Sequence, residues 1–112
     1  MAVFRRSFSN RADFIRLKES GKFARTSFFI MNFAPAREIP ARYGLIAVKK
    51  SFGTAISRNR ARRLMREWLR LSAGLLDPNM DYALVLMPEI LRAKKEDGLR
   101  ELERAVKKLR VK

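Results

Sequence analysis

The segment from Thr54 to about Leu71 limits the fold of this chain more than any other feature, because its apolar and charged residues repeat with a helical period. At about 100° per residue, one arc of this helix carries five arginines: Arg58, Arg62, Arg63, Arg66 and Arg70. A second arc carries the residues predicted to be buried: Leu64, Trp68, Leu71 and Leu75. Leu69 is the one apolar residue inside the basic arc. The pattern predicts a helix, capped by Thr54 or Ser57, that packs through one face and exposes a cationic face.

Segments that favour β-strands lie on both sides of this helix. Residues 22–34 are rich in aromatic and other β-favouring side chains and predict one extended segment, or two strands in succession. Tyr43–Val48 predicts another strand, and Lys49–Gly53 predicts a turn that leads from it into the helix. Asp81–Met87 is short and almost entirely apolar, as expected for a strand covered on both faces, and Pro88 ends it.

Two more helices are predicted near the ends of the chain. Asn10 caps the first, Arg11–Ser20, and Gly21 suits its C-terminal end. The last helix follows Pro88 and continues to about Arg110, and its apolar stripe has amphipathic spacing: Leu99, Leu102, Val106 and Leu109. We therefore expect a single α+β domain over residues 1–112, an α/β sandwich with the element order α-β-β-(β)-α-β-α.

The composition allows a hydrophobic core and indicates a polyanionic partner. Of the 112 residues, 47% are hydrophobic, whereas 26 Lys and Arg against 11 Asp and Glu give a net charge of +15. Such an excess favours binding to nucleic acid, the abundant intracellular polyanion. No apolar run approaches the roughly 20 residues that a membrane-spanning helix needs. We therefore expect a cytoplasmic protein with no membrane partner.

The residue types that the chain lacks exclude several classes of catalytic site. It has no Cys and no His, which excludes disulfides, thiolate zinc sites and histidine-based general bases. A self-sufficient nuclease would have to hold magnesium with the remaining candidate carboxylates: Asp13, Asp77, Asp81 and Glu89. Their spacing is not that of a two-metal cluster. We therefore expect no catalytic residue and no metal site in the protein itself.

The basic residues are concentrated around the arginine helix. Between Lys49 and Arg70 there are eight basic residues and one acid, Glu67. A solvated helix face usually mixes both signs in i,i+4 pairs, so a one-sided accumulation favours a polyanion-binding face. The planar guanidinium group suits bidentate phosphate contacts and stacking on bases, and the exposed N–H groups at the start of the helix offer a further phosphate site.

The same region resembles the protein subunit of bacterial ribonuclease P. Ser57–Glu67, with the sequence SRNRARRLMRE, resembles the arginine-asparagine-arginine signature of that family, and Val48–Ala55 is similar to its basic turn ending in glycine. Arg11–Phe14, followed by Gly21, is similar to the family's first helix. The strand Asp81–Met87 and the terminal helix also stand where the family has them, so the resemblance covers essentially the whole chain.

The resemblance implies a fold and a division of labour. The fold is the ribosomal protein S5 domain 2-like arrangement, in which the basic helix is a left-handed crossover between parallel strands. The protein has no active site of its own. It binds a catalytic RNA, and the resulting ribonucleoprotein removes the 5′ leader of precursor tRNA. In the family, Mg2+ is held mainly by the RNA, and no further protein partner is required. The resemblance assigns contacts with the catalytic RNA to the six motif residues Arg58, Asn59, Arg60, Arg62, Arg63 and Arg66. Lys49 and Lys50 lie just ahead of the helix, and we expect them to bind RNA as well.

The resemblance also places the single-stranded leader in a cleft between the first helix and the exposed sheet face. The chain departs from the family at two positions of this cleft. Lys18 stands where a second aromatic often follows Phe14, and Met31 stands where the strand often offers a tyrosine. We expect Phe14, Lys18 and Met31 to line the cleft, with Phe14 stacking on bases and Lys18 contacting phosphate. Buried core positions for Phe14 and Met31 remain the alternative.

Three other functions compete with this one. A small ribosomal or other structural RNA-binding protein explains the charge and the sheet equally well, but it leaves the spacing of the basic residues from 58 to 66 unexplained. A self-sufficient nuclease needs converging carboxylates, which the sequence does not indicate. A sequence-specific DNA regulator needs a recognition helix after a tight turn, and no segment has that pattern. The identity of the RNA bound in cells separates the first alternative from a ribonuclease P subunit.

Overall fold

The computed structural model describes residues 6–7, 11–20, 22–37 and 41–110, and of residues 6, 7 and 110 it describes the backbone alone. Along these residues the strands are β1 (Arg6–Ser7), β2 (Phe23–Arg25), β3 (Phe29–Pro35), β4 (Arg42–Ile46) and β5 (Met80–Leu86). The α-helices are α1 (Arg11–Glu19), α2 (Lys49–Phe52), α3 (Ala55–Leu71) and α4 (Lys95–Arg110). Turns of 3-10 helix at Ala73–Leu75 and Pro88–Arg92 flank β5. The predicted order of elements is confirmed, with β1 and the single-turn α2 added to it.

The strands form one mixed sheet in the order β1-β4-β5-β3-β2. The central strands β4 and β5 are parallel, with Tyr43 opposite Tyr82, whereas β3 is antiparallel to both β5 and β2. Because β4 and β5 are parallel neighbours, the chain between them must return along the length of the sheet, and α3 makes most of that return. The crossover helix is therefore confirmed. Its left-handedness stays a prediction from the resemblance.

The two faces of the sheet are covered differently. We call the face under α3 and α4 the core face, and its side chains belong to the main hydrophobic core: Phe29, Met31, Phe33, Tyr82, Leu84 and Leu86. We call the opposite face the open face, because α1 covers only part of it. There Leu17 of α1 packs against Ala34 and Ala83. The layers are thus one helix, a sheet, and two helices, which is the predicted sandwich.

Two residues set the junction between β4 and α3. The predicted turn over Lys49–Gly53 is a single helical turn, α2, which buries Phe52 and ends at Gly53 with a φ of 81°. This left-handed backbone conformation favours glycine. Thr54 then caps α3, because its hydroxyl accepts the N–H of Ser57 at 3.1 Å. Thr54 rather than Ser57 is the cap, and it fixes where the arginine helix begins.

The buried face of α3 is rotated from the one that the helical wheel predicted. Trp68 is buried as predicted, but Met65 and Leu69 are buried as well, whereas Leu71 is 43% exposed. The predictions for Leu69 and Leu71 were therefore wrong. The physical reason is that α3 contacts α4 and the 3-10 turn Pro88–Arg92 in addition to the sheet core. Those contacts bring the arc around Met65 inward and leave Leu71 on the solvent side of the helix.

The remaining elements follow the predictions closely. The first helix spans Arg11–Glu19, while its predicted ends, Asn10 and Gly21, lie outside the described residues. The extended segment divides into two strands at Thr26, whose hydroxyl accepts the N–H groups of Phe28 and Phe29, each at 3.1 Å. This side-chain turn explains the split, since it satisfies backbone donors that a continuous strand would pair otherwise.

Candidate nucleic-acid interface

The exposed side of α3 carries a set of arginines that form no ion pair within the described residues, because the one acid of this helix, Glu67, pairs with Arg70. Five arginines lie on it, three of them exposed and two half-buried: Arg60, Arg63 and Arg66, then Arg58 and Arg62. Among the residues that the structure describes, none of these five forms an ion pair with a carboxylate. Arg62 donates instead to Oδ1 of Asn59 at 3.3 Å. We call these five arginines, together with the exposed Asn59, the arginine face.

The other long helix, α4, is also rich in charge, but three of its four acids pair with a base on the same helix. Arg100 pairs with Asp97 at 3.1 Å, and Arg104 pairs with Glu101 at 2.7 Å. Pairs three or four residues apart are what a solvated helix face normally shows. In the described part of the chain the arginine face has no such pairs, so its guanidinium groups repel one another, and a bound polyanion would relieve that repulsion.

Arg70, near the end of α3, does not belong to the arginine face. Its guanidinium donates to both carboxylate oxygens of Glu67, at 3.1 and 2.6 Å. This hydrogen bonding holds the pKa of Glu67 below its usual value and raises the pKa of Arg70. Both groups are therefore charged at neutral pH, and the arginine is neutralised within the protein.

Lys49 and Lys50 extend the cationic surface toward the sheet. Both are exposed on α2, and Gly53 joins that turn directly to α3. Arg58, in the first turns of α3, has its Nη1 atom buried without a hydrogen-bond partner in the described part of the chain. A buried donor without a partner is uncommon, and a phosphate oxygen would satisfy it once the side chain turned outward. The eight predicted RNA contacts thus lie on two consecutive helices.

The second predicted site lies where α1 meets the open face. Phe14 is half-buried and packs beside Leu17, whereas Lys18, one turn later, is exposed. Helical geometry places these two side chains on one flank of α1 and Arg16 on the other. Arg16 donates to the carbonyl of Pro35, at the end of β3, at 2.8 Å. The flank with Phe14 and Lys18 therefore faces the uncovered part of the sheet.

Met31 does not line this cleft, and the prediction that placed it there was wrong. Its side chain is fully buried in the main core beneath α3 and α4. Because successive side chains of a strand point to opposite faces, its neighbours Ile30 and Asn32 lie on the open face instead. Both are half-buried, as is Val85, the partner of Ile30 on β5. These three residues form the floor of the cleft.

Strand β2 continues this floor to the edge of the sheet. Phe23 is the register partner of Asn32, and Arg25 is the partner of Ile30, so both lie on the open face. Both side chains are exposed. These two residues were not predicted as site residues from the sequence. Their spacing shows that the two side chains share one face of the strand. Which face of the sheet this is depends on the register of the β2–β3 hairpin, which the sequence alone does not reveal.

Buried ion pairs fix α1 on the open face. Asp81 of β5 is fully buried, and its two oxygens accept from the Arg16 guanidinium and from the backbone N–H of Arg42, each at 2.6 Å. The Arg42 guanidinium donates to Asp13 of α1 at 3.0 Å. The network thus joins α1 to both β4 and β5, and it fixes the position of α1 over the open face of the sheet.

The same network bears on whether the protein could hold a metal. Two of the four candidate carboxylates, Asp13 and Asp81, are engaged by arginines. Within the described ranges, no three residues of the types His, Cys, Asp and Glu come together as metal ligands. The donor set therefore does not fit a Mg2+ site. None of the described helices is both long enough and apolar enough to cross a membrane.

The sequence profile of the Ribonuclease P family matches residues 5–110. The chain belongs to the ribonuclease P protein family. The Ribonuclease P protein component of Desulforapulum autotrophicum is 30% identical over 99 residues, covering 88% of this chain and 84% of that protein. The component of Syntrophobacter fumaroxidans is 38% identical over 92 residues, covering 80% and 76% of the two chains.

The fold agrees with solved ribonuclease P proteins. The protein from Staphylococcus aureus superposes with a TM-score of 0.74 at 22% identity, covering 90% of this chain and 92% of that one. The protein from Thermotoga maritima gives 0.74 at 24% identity, with 89% and 94% covered. As a ribonuclease P family member, the chain is the protein subunit of a ribonucleoprotein endonuclease that acts in tRNA processing. The family membership therefore decides against a ribosomal protein.

Proposed function

We propose that the arginine face, together with Lys49 and Lys50, binds the catalytic RNA of ribonuclease P. The observation that supports this assignment is that, within the described residues, the arginine face forms no ion pairs, whereas Arg100 and Arg104 of α4 are both paired. Each unpaired guanidinium can offer two parallel N–H donors to a phosphate. Binding also releases the counterions that the phosphates held, so a face of several arginines supplies a large salt-dependent affinity.

The rigid mounting of α3 favours this role. The opposite side of the helix is fixed in the main core through Met65, Trp68 and Leu69. Side chains on a helix that is anchored in this way keep their spacing when RNA binds, so less conformational entropy is lost on association. Asn59 adds a neutral donor and acceptor among the cations, with its Oδ1 already oriented by Arg62.

In this proposal the cleft between α1 and the open face holds the 5′ leader of precursor tRNA. Phe14 forms an apolar wall, Ile30 and Val85 an apolar floor, and Asn32 an amide in that floor. Unpaired bases stack on such surfaces, and Lys18 can neutralise a phosphate at the rim. Mature tRNA has no leader, so the cleft gives the holoenzyme a preference for its substrate over its product.

The proposed contribution of the protein is binding and positioning, with bond cleavage carried out by the RNA. The chain has no His to act as a general base near neutral pH. The Asp13 and Asp81 carboxylates are engaged by arginines, so the donor set does not support a metal-assisted step on the protein. We therefore assign the Mg2+ of the holoenzyme mainly to the RNA and the activity to the cytoplasm, with no further protein partner required.

Reconstitution with the catalytic RNA tests this proposal. Precursor tRNA labelled at its 5′ end is incubated at low salt with Mg2+ and with the protein alone, the RNA alone, or both together. We expect the protein alone to leave the substrate intact and the mixture to release the leader faster than RNA alone. Cleavage by highly purified protein without RNA would contradict the proposal, and so would a mixture no faster than the RNA. Competition by ribosomal RNA at equal affinity would contradict the assigned partner.

A further inference from the structure

Phe23 is the one exposed aromatic side chain among the residues that the structure describes. It is 57% exposed, whereas the other described aromatic rings are buried or half-buried. It lies on β2, which is the edge strand of the sheet beyond β3. Because this phenylalanine is exposed, it does not contribute the free energy that burial of its ring would give. An apolar side chain on an edge strand also favours pairing of that strand with another chain. The ring is therefore accessible to a ligand that lies on the sheet.

The register shows which surface the ring belongs to. Phe23 is the Cα partner of Asn32, and Arg25 is the partner of Ile30. Partners in a ladder share one face, so Phe23 and Arg25 lie on the open face, opposite to the core face that holds Met31. The surface that begins under α1 thus continues across β3 and ends at Phe23.

The groups around the ring match the chemistry of a single RNA strand. Within the described residues, the Asn32 side-chain amide makes one long hydrogen bond, 3.5 Å from its Nδ2 to the Lys22 carbonyl, so most of its hydrogen-bonding capacity is available to a base edge. Arg25, two residues after Phe23 and on the same face, is exposed and can contact a phosphate. A phenyl ring, an amide and a cation on an open sheet form a stacking platform for unpaired bases.

We infer that Phe23 is a base-stacking residue for the 5′ leader, and that the leader path extends from the α1 cleft across the open face to the sheet edge. This inference rests on the proposed leader cleft and adds a specificity-determining residue to it. Helix α1 packs on β3 and β5, and β2 is the next strand beyond β3, so a leader that ends inside the cleft does not reach the ring. The contribution of Phe23 therefore depends on leader length.

Binding of the holoenzyme to precursors with stepwise shortened leaders tests the inference. We expect Phe23→Ala to weaken binding of the longest leader by roughly 5- to 150-fold, the usual range for one lost stacked base. The loss disappears for short leaders and for mature tRNA. Phe23→Trp retains the long-leader affinity, whereas Phe23→Leu, apolar but unable to stack, loses it. The matched control is Leu71→Ala, which removes an exposed apolar side chain from the end of α3.

The outcomes separate this inference from the proposal on which it rests. If the wild-type holoenzyme binds precursor and mature tRNA equally, the cleft proposal fails and this inference fails with it. If the wild type prefers long leaders but Phe23→Ala binds every length unchanged, the inference alone is wrong. An equal loss at all lengths, a lower affinity for the catalytic RNA, or a change in the oligomeric state would each assign Phe23 to another contact and overturn it.

Discussion

Gly98 of α4 lies directly against the indole ring of Trp68 on α3. A Cβ atom at position 98 would overlap the Cζ2 and Cη2 atoms of that ring, so the two helices can approach this closely only because residue 98 has no side chain. On its other side, Trp68 meets Phe28 edge to face, with ring centroids 5.9 Å apart. The ring is thus held between α4 and the β2–β3 turn, and it anchors the helix that carries the arginine face.

We predict that Gly98→Ala destabilises the protein by about 1–3 kcal/mol, the usual cost of overpacking, despite the better helix propensity of alanine. Chemical denaturation measures this change. Trp68→Ala alone should cost about 3–5 kcal/mol. In the Trp68→Ala background, Gly98→Ala should become neutral or stabilising, because the overlap is gone and the propensity gain remains. A Gly98→Ala cost that is the same in both backgrounds would show that this contact does not limit the packing of α4.

We predict that Asp81→Ala destabilises the protein by about 3–5 kcal/mol, because it leaves the Arg16 guanidinium and the Arg42 N–H without their buried acceptor. Asp97→Ala is the matched control, since its partner Arg100 is exposed to solvent. It should cost about 1 kcal/mol or less. Urea unfolding of both variants makes the comparison. Equal effects of the two substitutions would mean that the network under α1 contributes little to stability.

The elements of the fold could be predicted from the sequence because they rest on local signals. The 3.6-residue period of α3, its Thr54 cap and the apolar strand β5 are visible in consecutive residues. The rotation of α3 could not be predicted, since it depends on α4 and on the glycine at position 98, which are distant in sequence. The same reason applies to the ion pairs between α1 and Asp81.

The arginine face was predictable and the cleft was only partly so. A helix fixes which side chains share a surface through residue spacing alone, which is sufficient for Arg62 and Arg66. In a strand, either the odd or the even residues can face the core, and a wrong assignment moves every side chain to the other face. That choice explains why Met31 was assigned to the cleft in place of Asn32, its neighbour in the chain.

We predict that replacing Arg62 and Arg66 together with Ala weakens binding to the catalytic RNA and lowers the salt dependence of binding by up to about two units in the log–log slope, roughly one for each lost phosphate contact. The fold should persist, because neither residue belongs to the core. The control is Arg100→Ala with Arg104→Ala, which removes two arginines already paired on α4. Filter binding over a salt series measures both. An unchanged slope in the first variant would contradict the assignment of this face.

We predict the opposite change for Glu67→Gln. The hydrogen bond from Arg70 holds the pKa of Glu67 below its usual value, so the carboxylate is charged at neutral pH and neutralises that arginine. Removing the charge frees Arg70 for a phosphate, which should raise RNA affinity and steepen the salt slope by up to about one unit. Because this pKa is lowered in the folded protein, the stabilising contribution of the pair is present above the ordinary carboxyl pKa and is lost as the pH falls through the lowered value. The affinity gain of the variant should therefore vanish at such a low pH.

We predict that Phe14→Ala reduces the preference for precursor over mature tRNA more than it reduces affinity for the catalytic RNA. Its ring is half-buried on the flank of α1 that faces the cleft floor, away from the arginine face, and one stacked base is worth about 1–3 kcal/mol. Ile15→Ala is the matched control, because this neighbouring apolar residue is 44% exposed on a different side of the helix. Three quantities are measured on each variant: the unfolding midpoint, the affinity for the catalytic RNA, and the ratio of affinities for precursors with and without a leader. A collapsed ratio at a native midpoint assigns Phe14 to the leader, since only the leader distinguishes the two substrates. A lowered midpoint with an unchanged ratio would instead restrict the ring to packing on Leu17 and Ala83.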